Sequence, residues 1–323
     1  IDTYSLRALR WQSLQLLDYA ASLGATTIQL SLNDFESLDP AHLASVKQKA
    51  AAKNLTLDSS IGCICRTTRG WNPQNGDPVA YLTKGLRLAH SLGARAVRCF
   101  MGSNPDRSGK LPLAAHLEET LKTFRAVRSL ALDLQVKVAI ENHGDLTARE
   151  TRLLIEEAGS NYVGVCLDTG NPMWLLEDPM LTVEVLAPHI VSTHLRDSVL
   201  YEHPRGAAFQ WVASGDGCVG LEAVIRKLRT VAPQAPLQLE VITGRPPQLL
   251  PYLDEAYWRS YRALPAPDFA RFVALSQRGR PFEGSMIVAD GLPAKPPEYD
   301  AALWAQQKFD LERSFQWTRS LLA

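Results

Sequence analysis

The sequence predicts an α/β fold: a (β/α)8 TIM barrel followed by a mostly helical C-terminal extension. Three observations carry this. Short apolar runs alternate with helix-patterned stretches about eight times over residues 1–245, as a parallel sheet with outer helices requires. Four of those runs end abruptly in chemistry-bearing side chains: Ile140 before Glu141, Leu167 before Asp168, Thr193 before His194 and Leu239 before Glu240. The C-terminal ends of the strands are where a parallel barrel carries its active site. Finally, no Gly-rich phosphate loop follows the first strand, as an open doubly wound sheet often shows. The phrase Gly215-Asp-Gly217 lacks both a preceding strand and the third glycine of a dinucleotide fingerprint.

Taken in order, residues 1–5 read as the stump of a first strand. Residues 10–23 carry Trp11, Leu14, Leu17 and Ala21 at helical spacing, and Gly24 stops them. Strand 26–30 leads to helix 40–53, with Asp39 as N-cap and Pro40 at the first helical position. Strand 55–61, a polar loop 66–78, helix 79–91 ended by Gly93, and strand 96–100 follow. A loop at 101–110 and a long helix at 113–132 lead to strand 136–140. Helix 148–158, strand 163–167, helix 179–186 and strand 190–193 come next. A long loop is expected over 197–220, then helix 221–231 and a last strand at 236–240. Beyond about residue 245 the alternation stops. Residues 252–263 and 268–277 look helical, 281–298 is Pro/Gly-rich loop, and 299–322 is a final helix carrying Trp304, Phe309, Phe315 and Trp317. The expected organisation is a barrel over 1–245 and a helical extension over 246–323. Aromatics at that density predict packing on the barrel or on a second copy in a homodimer.

Bulk composition narrows the function classes. At 46% hydrophobic and 21% charged, the chain can bury a large core and is not a disordered protein. Lys+Arg and Asp+Glu are both 34, which leaves no electrostatic footprint for nucleic acid or an anionic membrane. No apolar run reaches the ~18 residues of a membrane span, and no signal-peptide core is present. The five cysteines are odd in number and scattered among apolar neighbours, so free thiols in a reducing, cytoplasmic setting are expected. The chain starts at Ile1 rather than Met, so a trimmed start is expected.

A single Glu, Asp or His at a strand end is most often a helix cap or a surface charge. Four together are different, because burying several carboxylates is costly unless a cation compensates. Three carboxylates and an imidazole suit Mn²⁺ foremost, with Mg²⁺, Co²⁺ or Zn²⁺ as alternatives, and leave positions open for substrate oxygens. Structural zinc would instead take thiolates in a closed shell.

The segments Ile140-Glu-Asn-His-Gly144, Cys166-Leu-Asp-Thr-Gly-Asn171, Thr193-His-Leu-Arg-Asp197 and Leu239-Glu240 resemble the xylose isomerase-like TIM barrel superfamily. Within it they are similar to the sugar phosphate isomerase/epimerase group, which includes ketose 3-epimerases and inosose dehydratases. The resemblance covers residues 1–245 and implies one divalent cation held by Glu141, Asp168, His194 and Glu240. It also implies a sugar or cyclitol substrate enolised beside its carbonyl, with Glu141 and Glu240 moving the proton. Epimerisation, isomerisation or, alternatively, a lyase or dehydratase reaction on a keto-sugar, keto-glycoside or cyclitol would follow from the same enediolate. A sugar-binding barrel without turnover is the alternative of another class. AP endonucleases of the superfamily carry a His where this chain has Asn171, and further His ligands. Here His42, His90 and His116 fall in helices, so DNA repair is disfavoured.

His143, Asn171 and Arg196 are the candidate substrate-binding residues. His143 and Arg196 each stand two residues beyond a proposed ligand and therefore share its face of the strand end. Trp174, Phe209 and Trp211 are placed in mouth loops where they would stack on a sugar ring, while Asp197 and Asp216 read as turn or cap residues.

Overall fold

A computed structural model describes residues 1–284, 289 and 294–322. Six parallel strands form one sheet in sequential order: β1 (Thr27–Ser31), β2 (Thr56–Cys63), β3 (Ala96–Phe100), β4 (Lys137–Glu141), β5 (Val163–Asp168) and β6 (Ile190–His194). Helices α1 (Ser13–Ser22), α2 (Pro40–Ala52), α3 (Pro78–Leu92), α5 (Leu113–Leu134), α6 (Ala148–Ala158), α7 (Pro179–Leu186) and α8 (Leu221–Val231) alternate with them, and the short α4 (Asn104–Arg107) lies in the loop after β3.

The remaining two barrel positions are not full strands. Residues 1–2 bridge Gln29, and residues 238–240 bridge Leu195. The Asp2 amide donates to the Leu239 carbonyl at 2.8 Å and closes the ring. The reason is local chemistry. The Asp2 side chain accepts from the Tyr4 amide and turns the chain into a 3-10 helix over Thr3–Leu9. Pro236 has no amide to offer a ladder. Side chains complete the pairing instead. Ser5 Oγ donates to Leu239 O and accepts from Val241 N, and Thr193 Oγ1 donates to Pro236 O and accepts from Gln238 N.

Outward-facing Leu30, Val97, Val138 and Val165 are fully buried with Leu82, Leu86 and Phe124 of the helices in the main apolar cluster. The strand register sets polar side chains side by side inside the barrel: Gln29 opposite Asp58, Cys166 opposite Ser192, and Asp168 opposite His194.

The helix expected over 10–23 begins only at Ser13, because Arg10 is left-handed (φ 54°) and Gln12 caps with Gln15. The long loop expected over 197–220 is instead a hairpin, β7 (Asp197–His203) and β8 (Gly206–Val212), which pair antiparallel. Nor is the segment after 245 purely helical. Its β9 (Gln248–Leu250) joins β8 in a three-stranded antiparallel sheet, and only a 3-10 turn (Glu255–Ser260) forms within 252–263. This small sheet covers a second apolar cluster with Phe272 of α9 (Ala266–Arg278). Of the loop expected over 281–298, residues 281–284, 289 and 294–296 are described and form no helix or strand, α10 already begins at Pro297, and the rest lies outside the described residues.

The final helix α10 (Pro297–Leu322) packs on the barrel through Leu303 and Leu311. It is tied down by Trp304 Nε1 to Ala8 O (2.8 Å), Ala8 N to Gln307 Oε1 (3.0 Å) and Thr243 Oγ1 to Asp310 Oδ2 (2.6 Å). Among the described residues no helix is long and apolar enough to cross a membrane. All five cysteines are free, four of them buried and Cys218 half-buried.

Candidate metal centre

Glu141, Asp168 and His194 are the last residues of β4, β5 and β6, and Glu240 follows the bridge at Leu239. One donor atom from each lies within 4.8 Å of the other three, and all four residues are buried.

The surrounding hydrogen bonds leave specific atoms for a ligand. Asp168 Oδ1 accepts from the Gly170 and Asn171 amides, both at 2.7 Å. Its Oδ2 makes no hydrogen bond. Asn142 bridges β4 and β5 beneath it, donating to Asp168 O and accepting from Asp168 N. His194 Nε2 meets Gln29 Oε1 at 2.8 Å, while Nδ1 has no hydrogen-bond partner and lies 3.3 Å from Glu240 Oε2 and 3.5 Å from Glu141 Oε1. Glu240 Oε2 is also without a hydrogen bond. Two buried carboxylate oxygens and an imidazole nitrogen converge here with the Arg196 guanidinium facing the oxygens, a crowding of carboxylates that is costly in a protein interior without further positive charge. This donor set, two oxygens and one imidazole nitrogen with Glu141 beside them, fits a divalent cation.

The electrostatics show the same demand for positive charge. Burial alone would lower the pKa of His194, but Cys166, Glu240, Glu141 and Asp2 around it raise it well above the usual imidazole range. Burial pushes Asp168 up to about 7 against the pull of Arg196. Burial also opposes ionisation of Glu240, but Arg196 and His194 hold its carboxyl down at about 2. Burial works against Glu141 in the same way, and Arg98, His194 and His143 together keep it well below the carboxylate range.

Each candidate substrate-binding residue reaches this centre. Arg196 Nε lies 2.8 Å from Asp168 Oδ2, and its Nη2 contacts Glu240 Oε2. Its guanidinium also stacks 4.8 Å from the Trp211 ring centroid. Asn171 Nδ2 donates to Glu141 Oε1 at 3.1 Å. The half-buried His143 stacks on Phe100 with ring centroids 4.1 Å apart, and its Nδ1 meets Gly102 O at 2.7 Å. All three line a cavity of about 930 Å³ at the barrel mouth, together with Trp174 and Trp211. Phe209 does not join them. It is a fully buried residue of β8, packed edge-on against Trp174 and Trp211 from behind. Asp197 serves as a turn residue, accepting from the Ser198, Gly215 and Gly217 amides, and Asp216 pairs with Arg313 at 2.6 Å.

Sequence reasoning missed Arg98, which clamps Glu141 Oε2 through Nε and Nη2. It also missed Gln29, Asp58 and Asn142. The available signal was a lone polar side chain inside each apolar strand: Arg98 within Ala96–Phe100 and Gln29 within Thr27–Ser31.

The profile of the family described as xylose isomerase-like TIM barrel matches residues 17–260. A curated relative, 3-oxo-isoapionate decarboxylase of Pectobacterium atrosepticum, is 24% identical over 217 residues, covering 66% of this chain and 72% of its own. Among solved structures, D-psicose 3-epimerase with D-fructose superimposes with a TM-score of 0.62 at 15% identity, covering 96% of this chain and 93% of that one. The 3-keto-D-glucoside 4-epimerase of E. coli gives 0.56 at 14% identity, covering 78% and 93%. At these identities the two structures share the fold.

Proposed function

The chain belongs to the xylose isomerase-like TIM barrel family, and on that footing we propose that it is a divalent-metal-dependent isomerase or epimerase acting on a sugar or sugar derivative through an enediolate. One observation carries the reading: four side chains able to ligate a metal meet within 4.8 Å at the strand ends, and Asp168 Oδ2, His194 Nδ1 and Glu240 Oε2 make no hydrogen bond there. Glu141, Asp168, His194 and Glu240 would hold the cation, Mn²⁺ foremost, and when bound it would stabilise negative charge developing on adjacent substrate oxygens.

The chain's own groups account for the rest. Glu141 at the end of β4 and Glu240 on the closing segment, separated around the barrel by β5 and β6, exchange the proton at the carbon beside the carbonyl. Arg196, held against Trp211, and His143, held against Phe100, are stacked in fixed orientations that suit them to orient substrate hydroxyls. Asn171 does the same from its bond to Glu141. We assign this chemistry to the barrel over 1–245, with 246–323 as its cover. Five free thiols fit a cytoplasmic setting.

A lyase on a keto-sugar, keto-glycoside or cyclitol is the second reading. It is favoured by the decarboxylase relative, because loss of CO₂ from a keto acid leaves the same kind of enolate to be protonated. The test is NMR in D₂O on a panel of ketoses, inososes and 3-keto-glycosides, with Mg²⁺ and with EDTA. Metal-dependent deuterium gain at the carbon beside the carbonyl is expected, and the product separates epimerase from isomerase from lyase. A ligand that binds without any exchange would favour a sugar-binding barrel.

A further inference from the structure

The geometry points to Gln29 and Asp58 as positioning residues that set the tautomer of His194 and thereby the affinity of the site for its cation, an inference that rests on the metal reading above. Directly beneath the ligands, the barrel interior holds a polar layer contributed by β1, β2, β6 and the closing segment. Asp58 Oδ2 accepts from Gln238 Nε2 at 2.7 Å, Ser192 Oγ at 2.9 Å and Gln29 Nε2 at 3.3 Å. Its Oδ1 accepts from the Ser59 amide at 3.0 Å. Gln29, Ser192 and Gln238 are fully buried.

A barrel interior is ordinarily filled by layers of branched apolar side chains, and a buried carboxylate is costly. What this layer does is visible one bond higher. Because Asp58 Oδ2 accepts, the amide NH₂ of Gln29 must face it. The carbonyl Oε1 of Gln29 is therefore the atom left at 2.8 Å from His194 Nε2. An acceptor there requires the proton on Nε2, which leaves the lone pair on Nδ1, the nitrogen that faces Glu141 and Glu240. The chain from Asp58 through Gln29 to His194 thus orients the ring and raises the basicity of the ligating nitrogen.

The test measures Mn²⁺ affinity by electron paramagnetic resonance of the free ion, in the full chain and three variants. Gln29→Met removes the acceptor at similar volume and is expected to weaken binding ~10–100-fold. Gln29→Glu loses the donor to Asp58 but keeps an acceptor toward Nε2, so it should bind Mn²⁺ more tightly than Gln29→Met. Asp58→Asn lets Gln29 turn over and should cost about 10-fold. In the Mg²⁺-loaded protein, a slowly exchanging His194 Nε2–H resonance is expected, retained in Gln29→Glu. This readout decides the matter even if Gln29→Met does not fold. Equal affinity in Gln29→Met would overturn the inference while leaving the metal site standing, and a His194 that carries its proton on Nδ1 in the loaded protein would overturn it and remove His194 from the ligands. Failure of the unmutated protein to bind Mn²⁺ would overturn the metal reading and this inference with it.

Discussion

Asp168 illustrates how single residues prepare this site. Two backbone amides at the turn after β5 fix one carboxylate oxygen, so the other has one direction left to point. Glu240 is different, because no backbone amide donates to its Oε2 and the groups at its side are Arg196 and His194. That freedom suits a group that both ligates and moves a proton. Glu240→Gln is therefore expected to reduce solvent exchange into substrate by ~10²–10⁴, measured by deuterium incorporation at saturating metal. Retained exchange would remove Glu240 from the chemistry. At this scale the four candidate ligands were legible, because each ends an apolar run. Arg98 was not. It stands in the middle of β3, and its partner Glu141 lies 43 residues further on. The two meet because parallel pairing of β3 with β4 sets Arg98 opposite Ala139, two residues before Glu141, a relation no local pattern contains.

The six strands of the parallel sheet were read within two residues at each end, whereas the strands expected at residues 1–5 and 236–240 are short bridged segments. The first and last barrel positions depend on Ser5 and Thr193 hydroxyls in place of ladder bonds. The β7–β8 hairpin escaped for another reason: β8 is buried on nearly both faces and β7 over its first four residues, so the alternation that marks a half-exposed strand is absent. Buried polar joints between elements also control stability. Glu177, just before α7, is fully buried and accepts from the Ala148 amide at the start of α6 with both oxygens, at 2.9 and 3.1 Å. Burial raises its pKa from 4.5 to about 8. A folded-state pKa above the unfolded value contributes stability that is complete below pH 4.5 and is lost as pH rises through about 8. Glu177→Gln mimics the neutral acid, so it should melt close to the unmutated protein at low pH and above it on the alkaline side. Thermal unfolding in EDTA across that range checks this. Parallel pH profiles for the two proteins would contradict it.

As a whole, the molecule is a closed ring of eight chain segments whose inner face turns from apolar to polar toward one end. The helices outside bury the aliphatic face of each strand. The antiparallel sheet β7–β8–β9 carries Trp211 to the mouth, and α10 braces the first turn of the chain at Ala8. The polar layer inside the ring adjoins one point, where three carboxylates and an imidazole converge with Arg98 and Arg196 beside them. We propose that this point holds one divalent cation. The direct measurement is calorimetric titration of metal-free protein with Mn²⁺, alongside Asp168→Asn and His194→Ala. A single site per chain is expected in the unmutated protein, with severe weakening in each variant and the fold retained by circular dichroism. No binding, or binding that both variants leave unchanged, would contradict it.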